Sequence, residues 1–250
     1  MTLLEKIDRN KAAIDEVRPF EGDMLKQLRD YYRVGLTWTS NAIEGNTLTE
    51  SETKVVLEDG ITIGGKPLKD IYEAVGHGEA YDYMFSLIRN ASISIKDIQH
   101  IHRLFYQKID PANAGQWRKQ SVIVSGSDHV FPAANEIENG MQRLADWIGQ
   151  NRETLHPVEF AAMLHLKFVT VHPFIDGNGR TARLIMNLAL IQKGYQPVIV
   201  PMIYKQEYNT NIRLYQSKGN SQPFVDFIAE QEFEAEKEIM RLLHIQTPTI

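Results

Sequence analysis

The 250-residue sequence contains no cysteine. That absence removes disulfides, thiolate zinc sites and cysteine nucleophiles together, and it fits a reducing compartment. Long apolar runs are also missing: the longest, 184–191 and 198–203, fall far below the ~18 residues that a membrane span requires. Residues 1–18 set Glu5, Asp8, Asp15 and Glu16 among their apolar positions, which breaks the continuous apolar core of a secretory signal. The expected location is cytoplasmic. Excess positive charge is absent as well. With 27 basic residues against 32 acidic ones and a formal net charge of −5, neither a nucleic-acid coat nor an anionic-membrane binder is expected, and any phosphate site must be concentrated in one place. Only 10 prolines and 16 glycines, beside 43% hydrophobic residues, exclude collagen-like and disordered chains and leave enough apolar material for a core.

What the chain does have is helical periodicity. Apolar residues recur at helix spacing through Leu3, Leu4, Ile7, Ile14 and Val17, and again through Met24, Leu25, Leu28, Tyr31, Tyr32 and Leu36, with a break near Pro19. Thr49 and Glu52 form a capping-box pattern that opens a helix over 54–58, and Gly60 stands just past its end. Further helices are predicted over 69–89, 95–107 with Ser94 as N-cap, 135–148, 157–171, 181–193 with Gly194 closing it, 205–217 and 224–243. The fold class is therefore all-α. One extended pattern interrupts it at 121–131, where Val122, Ile123 and Val124 precede a Ser-Gly-Ser-Asp turn and then Val130 and Phe131; it predicts a small hairpin packed on helices.

The chemistry concentrates in His172-Pro-Phe-Ile-Asp176-Gly-Asn178-Gly-Arg180-Thr-Ala-Arg183. Gly177 and Gly179 permit backbone conformations that turn successive N–H groups inward, and the loop runs into a helix N-terminus whose free donors and positive dipole end favour an anion. Arg180 and Arg183 lie three apart at that helix start, so both guanidinium groups reach the same side. Cations are unfavourable there, and an external anion is expected to compensate them. Asp176 suits a hard cation such as Mg²⁺ that keeps most of its waters, and His172 suits proton transfer near neutral pH. The helix that follows is apolar nearly all round, as a buried central helix should be.

Other patterns fail on their own chemistry. Gly60 to Lys66 has Walker A spacing, but Pro67 stands where the Mg²⁺-ligating hydroxyl belongs. The stretch from Asp176 opens like an EF-hand, yet Arg180 occupies its fifth position and Asn187 its twelfth. His77, His100, His102, His129, His156 and His165 form no metal-binding spacing, and His165 is expected to be a satisfied core residue.

The string from His172 to Arg183 resembles the Fic motif, His-x-Phe-x-(Asp/Glu)-Gly-Asn-Gly-Arg-x-x-Arg, at every fixed position. Similarity continues through Gly115-Gln-Trp-Arg118, His156-Pro157 and Pro223-Phe224, so the Fic-like core covers roughly 90–230. Ser40-Asn-Ala-Ile-Glu44-Gly45 resembles the inhibitory motif (Ser/Thr)-x-x-x-Glu-(Gly/Asn) of the same family. The resemblance implies a Fic-fold helical bundle with a β-hairpin flap, divided into an N-terminal helical region carrying the inhibitory motif (1–90), a Fic core (91–230) and a C-terminal helix extension (231–250).

It implies transfer of AMP from ATP to a Ser, Thr or Tyr hydroxyl of a protein. In that reading His172 is the base, Asp176 the Mg²⁺ ligand, and Gly177, Asn178, Gly179 and Arg180 hold phosphates while Arg183 binds the γ-phosphate. Ser40, Glu44 and Gly45 are inhibitory, and Val122, Ile123 and Val124 form the target-docking flap. The implied partners are ATP and a hydroxyl-bearing protein substrate, the chain itself included, with no nucleic acid and no membrane; a homodimer stays open. Sequence physics supports the inhibitory reading, because a carboxylate in the last turn of a helix faces the negative dipole end unless a cation offsets it, and Arg183 is the candidate. Two alternatives remain: removal of AMP by the same site, with Glu44 directing water, and a non-catalytic nucleotide-binding adaptor, for which a base at His172 would be superfluous.

Overall fold

The computed structural model describes residues 1–123 and 129–246. Ten α-helices follow one another among them: α1 Leu3–Asp15, α2 Gly22–Ile43, α3 Glu50–Glu58, α4 Leu68–Ser86, α5 Ile95–Tyr106, α6 Ile137–Asn151, α7 Pro157–Val171, α8 Asn178–Ile191, α9 Lys205–Lys218 and α10 Gln222–Leu242. Their starts are chemically specified. Thr2 with Glu5, Thr49 with Glu52 and Ser94 with Asp97 form reciprocal capping boxes for α1, α3 and α5, each satisfying backbone donors that a helix start leaves open. At α7 the His156 ring accepts from Val158 N–H and Pro157 occupies the first helical position, where its missing N–H costs nothing.

Helix α8 is the axis of the molecule. Leu184, Ile185, Met186, Leu188 and Leu190 are all essentially inaccessible, and burial of each contributes about 1.5–3 kcal/mol. Helix α7 packs along it, α4, α5 and α2 close around it, and α1 lies against α10. One continuous apolar core runs from Ile7 and Ile14 of α1 to Ile239 and Met240 of α10. A smaller cluster of Leu48, Val56, Ile71 and Ala74 joins α3 to α4.

Two features bear on the site directly. Helix α2 continues past Leu36 to Ile43 with Glu44 as its C-cap, the helix end that the sequence places at Glu44 and Gly45, and Thr37, Thr39, Ser40 and Asn41 are buried along its last turns. Among the described residues there is no strand: 121–123 and 129–131, where alternation predicts a hairpin, form no ladder, and no neighbouring sheet is present to support one. Val124 of the expected flap lies outside the described residues. No helix among them is long and apolar enough to cross a membrane.

Helices α4 and α5 approach closely at Gly76, where a Cβ would lie 2.5 Å from the Phe105 carbonyl oxygen and 3.1 Å from that of Leu104. Phe105 in turn supports the Fic-like loop, so Gly76→Ala is expected to act on both. Overpacking of this kind costs about 1–3 kcal/mol, read as a lower urea midpoint, and the displaced α5 should raise amide exchange in the loop before α8, followed by mass spectrometry.

Candidate active site

The loop between α7 and α8 is shaped by two left-handed residues. His172, the C-cap of α7, has φ 50° and ψ 59°, a conformation that costs a non-glycine residue about 1–3 kcal/mol unless its surroundings impose it. Gly177 has φ 76°, and a Cβ there would meet Phe105 Cε1 at 2.8 Å and His102 Nε2 at 3.2 Å. Asn178 closes the loop on itself: its Oδ1 accepts from Phe174 N–H and its Nδ2 donates to the Phe174 carbonyl, both at 2.9 Å. The Asn178 amide thereby braces the loop from inside.

His102, on α5, fixes the loop from below. Its Nδ1 accepts from Gly115 N–H at 2.9 Å, which leaves Nε2 to donate to the Asp176 carbonyl at 3.0 Å. The ring stacks on Phe174 with centroids 3.6 Å apart. Burial pushes this imidazole down to about 4, so it stays in the neutral tautomer that both bonds require.

His172 faces the loop with its own tautomer set. A carbonyl can only accept, so Nδ1 donates to Val169 O at 3.3 Å and Nε2 keeps its lone pair. Burial lowers the ring to about 4, against the bond to Val169, which raises it; the group is neutral at neutral pH and able to take a proton. Asp176 is half exposed, with Oδ1 accepting from Gly177 N–H at 2.6 Å.

No side chain caps α8, and two buried arginines stand at its N-terminus. The sequence leads one to expect an external anion beside them and Glu44 beside Arg183; each arginine has an internal carboxylate. Arg180 Nη1 donates to Glu73 Oε1 of α4 at 2.8 Å, both side chains being almost fully buried, and its guanidinium lies 4.2 Å from the Phe105 ring centroid. The other Glu73 oxygen accepts from Asn46 Nδ2 at 2.9 Å. Arg183 Nη2 donates to Glu44 Oε1 at 2.7 Å and to the Ser40 carbonyl at 2.9 Å, while Nε donates to Ser40 Oγ at 2.8 Å. Its Nη1 donates to Tyr208 OH at 3.1 Å, and that hydroxyl passes its own hydrogen to His165 Nε2 at 2.6 Å. His165 is indeed a core residue, held well below its usual range by burial and by the Arg183 charge, but it also supports the arginine from behind.

Glu44 sits where an anion would. It is the C-cap of α2, followed by Gly45 at φ 100°, and a Cβ added to Gly179 would overlap its Oε1. Burial pushes the Glu44 carboxyl up, but Arg183 and Arg180 outweigh burial and hold it below its ordinary 4.5. Glu73, Asn46, Tyr208 and His102 are the supporting residues that sequence reasoning missed; only the spacing of Glu73 within a buried face of α4 signals it in the sequence.

A profile of the Fic/DOC family matches residues 92–190. Protein adenylyltransferase Fic of Drosophila melanogaster is 36% identical over 229 residues, which are 91% of this chain and 46% of that protein. Its namesake in Nematostella vectensis is 37% identical over 230 residues, 91% of this chain and 53% of its own. The solved structure of Fic-1 from C. elegans superposes with a TM-score of 0.85 at 30% identity, covering 97% of this chain and 72% of that one. The chain belongs to the Fic/DOC family. It spans about half the length of the curated relatives it matches.

Within this Fic fold the two arginine pairs generate separate expectations. Glu73→Ala leaves Arg180 buried with only Asp176, 3.5 Å away, and should cost about 3–5 kcal/mol of stability, whereas Glu73→Gln, which keeps an acceptor, should cost visibly less in the same urea titration. For Glu44 the pH dependence has a definite sign. A carboxyl whose folded value is depressed contributes stability that is fully present above the unfolded value of 4.5 and is lost as pH falls through the lower folded value. The melting-temperature difference between the protein and Glu44→Gln should thus be constant from about pH 6 to 8 and shrink below about pH 4.5.

Proposed function

We propose that this Fic protein transfers AMP from ATP to a hydroxyl side chain of a protein and is held inactive by its own Glu44. The observation that carries the reading is the Glu44 carboxylate bonded to Arg183 across the bare N-terminus of α8, within reach of a neutral His172. An uncapped helix start with two arginines is built for polyphosphate, and the relatives in fly and sea anemone bear the name protein adenylyltransferase.

In the proposed reaction Arg180 and the Gly177 to Gly179 backbone hold the inner phosphates and Arg183 takes the terminal one. His172 Nε2 removes the proton of the target hydroxyl as its oxygen attacks the α-phosphorus, and pyrophosphate leaves with the bridging electrons. The incoming phosphates raise the His172 value from its depressed position and so strengthen the base. Asp176 is the residue that would hold Mg²⁺. It is half exposed, and no cage of three or more acidic or histidine ligands surrounds it among the described residues, which suits an ion that arrives on the nucleotide with its waters. When bound, the ion neutralises phosphate charge. Target contact is assigned to the flap at Val122, Ile123 and Val124; of these, Ile123 exposes 97% of its surface, and Val130 across the segment exposes 89%, apolar area that a bound target would cover.

Glu44 bonded to Arg183 stands in the place of the terminal phosphate, so ATP that does bind must hold its α-phosphate out of line. A second reading draws on the same residue: its carboxylate is 37% exposed and near enough to His172 to influence its titration, which suits the orientation of water for AMP removal.

The deciding experiment incubates the protein, Glu44→Gly and Glu44→Gly with His172→Ala with labelled ATP and lysate, and reads intact masses. Glu44→Gly should modify itself or a target well above the wild-type rate and lose any AMP-removing activity. Adding His172→Ala should lower transfer by about 10²–10⁴ with ATP binding little changed. Wild-type transfer as fast as that of Glu44→Gly would sink the inhibitory role, and a double variant as fast as Glu44→Gly would sink the role of His172.

A further inference from the structure

Arg118 lies between α5 and α6 and is only 3% exposed, yet among the described residues no carboxylate pairs with it. Its partners are backbone carbonyls on three sides. Nε donates to His172 O at 2.8 Å, Nη1 to Gln120 O at 2.8 Å and Nη2 to Pro132 O at 2.6 Å. The Arg118 backbone N–H adds a fourth bond, to Pro173 O at 2.9 Å.

A buried cation without a counterion is costly, and here convergent carbonyl dipoles are what compensate it. Only a planar guanidinium, with five N–H groups in a fixed fork, can serve three acceptors arranged around it; a lysine ammonium is a point charge on a flexible stem. The three acceptors are not equivalent in role. Gln120 and Pro132 are the points at which Arg118 holds residues 120–123 and 129–132, the stretches that carry the exposed Ile123 and Val130. His172 carries the base in a left-handed conformation, and the carbonyls of His172 and Pro173 are both taken by Arg118. Near the second of those points, the Phe131 ring lies 4.5 Å from the His172 imidazole.

We propose that Arg118 is a positioning residue for the protein substrate, one guanidinium that fixes the docking segment and the catalytic histidine to each other. This rests on the transferase reading of His172. A hydroxyl presented by a target lying along the segment meets Nε2 at a depth set by the Arg118 fork, and loss of the fork lets the segment and the base drift apart while the phosphate cradle on α8 stays intact. The charge also matters. Burial is the main force lowering His172, and Arg118 pushes the same way, so the cation keeps the base unprotonated where the segment is anchored.

The test is made in the Glu44→Gly protein with two substitutions. Arg118→Lys keeps the charge and loses the fork; Arg118→Gln loses both. ADP affinity by calorimetry should stay within about twofold of the parent, since neither residue touches the cradle. Self-modification by ATP, followed by intact mass, should fall about 10- to 100-fold in both, the scale of misplaced reacting groups. The acid limb of the rate profile, and the His172 titration followed by NMR on histidine-labelled protein, should move to higher pH in Arg118→Gln and stay in place in Arg118→Lys, a separation that mere loosening of the fold would not produce. If Arg118→Gln does not fold, Arg118→Lys alone decides. Self-modification at the parent rate in Arg118→Lys overturns the proposal, as does an ADP affinity that falls in step with transfer. A Glu44→Gly parent that transfers no AMP overturns the transferase reading and this proposal with it.

Discussion

A helix that starts with two buried arginines, and with no side chain to satisfy its first amides, requires negative charge at that end. Dipole and charge act in the same sense at α8. The dipole contribution is small, about 0.3–1 kcal/mol for a neighbouring charge, whereas leaving a buried guanidinium unpaired costs several times that. Charge compensation at Arg180 and Arg183 therefore governs how the surrounding elements are arranged. Helix α4 contributes Glu73, and α2 ends so that Glu44 and the Ser40 carbonyl both face Arg183. Tyr208 and His165 close the fourth side.

The two carboxylates meet this demand differently. Glu73 is buried and tied by its second oxygen to Asn46, so it is a permanent counterion that orients Arg180. Glu44 is more exposed and hangs from the last residue of α2, beside a glycine in the left-handed region. It is the one that a phosphate would replace on the proposed reading. Because Asn46 joins the chain just past Glu44 to the partner of Arg180, the C-terminal end of α2 and the N-terminal end of α8 are parts of one hydrogen-bonded network. Arg183 also makes two bonds to Ser40 that do not involve Glu44, so α2 keeps a hold on the motif when the carboxylate is gone.

Much of this was legible in the sequence, and what was not has a physical reason. Helix α7 was readable to the residue because Pro157 and the capping His156 mark its start and His172 its end. The motif from His172 to Arg183 was readable because its chemistry lies within a dozen consecutive residues. The end of helix α2 was readable too, from Gly45 after Glu44, although the apolar repeat thins out after Leu36, where Thr37, Thr39, Ser40 and Asn41 are buried. Glu73 was only faintly legible, from its place on a buried face of α4, because its partner Arg180 is 107 residues away and a lone acid in an amphipathic helix usually has the pattern of a solvated one. Asn178 was legible as a motif residue, but not that its side chain supports the loop from inside. The turn of the expected hairpin lies outside the described residues, and the flanking 121–123 and 129–131 form no ladder.

Gly179 has a consequence beyond its place in the motif. The space left by its missing Cβ is filled by Glu44, and in the proposed reaction the same space lies beside the polyphosphate. One vacancy thus serves both the resting and the working protein. On the proposed reading, a side chain at this position that evicts the glutamate also obstructs the nucleotide, so a drifting gene would lose restraint and catalysis together here. Substitutions on α2, at Glu44 or at Ser40 beside it, would separate the two, which makes that helix the permissive half of the pair and the glycine loop the constrained one.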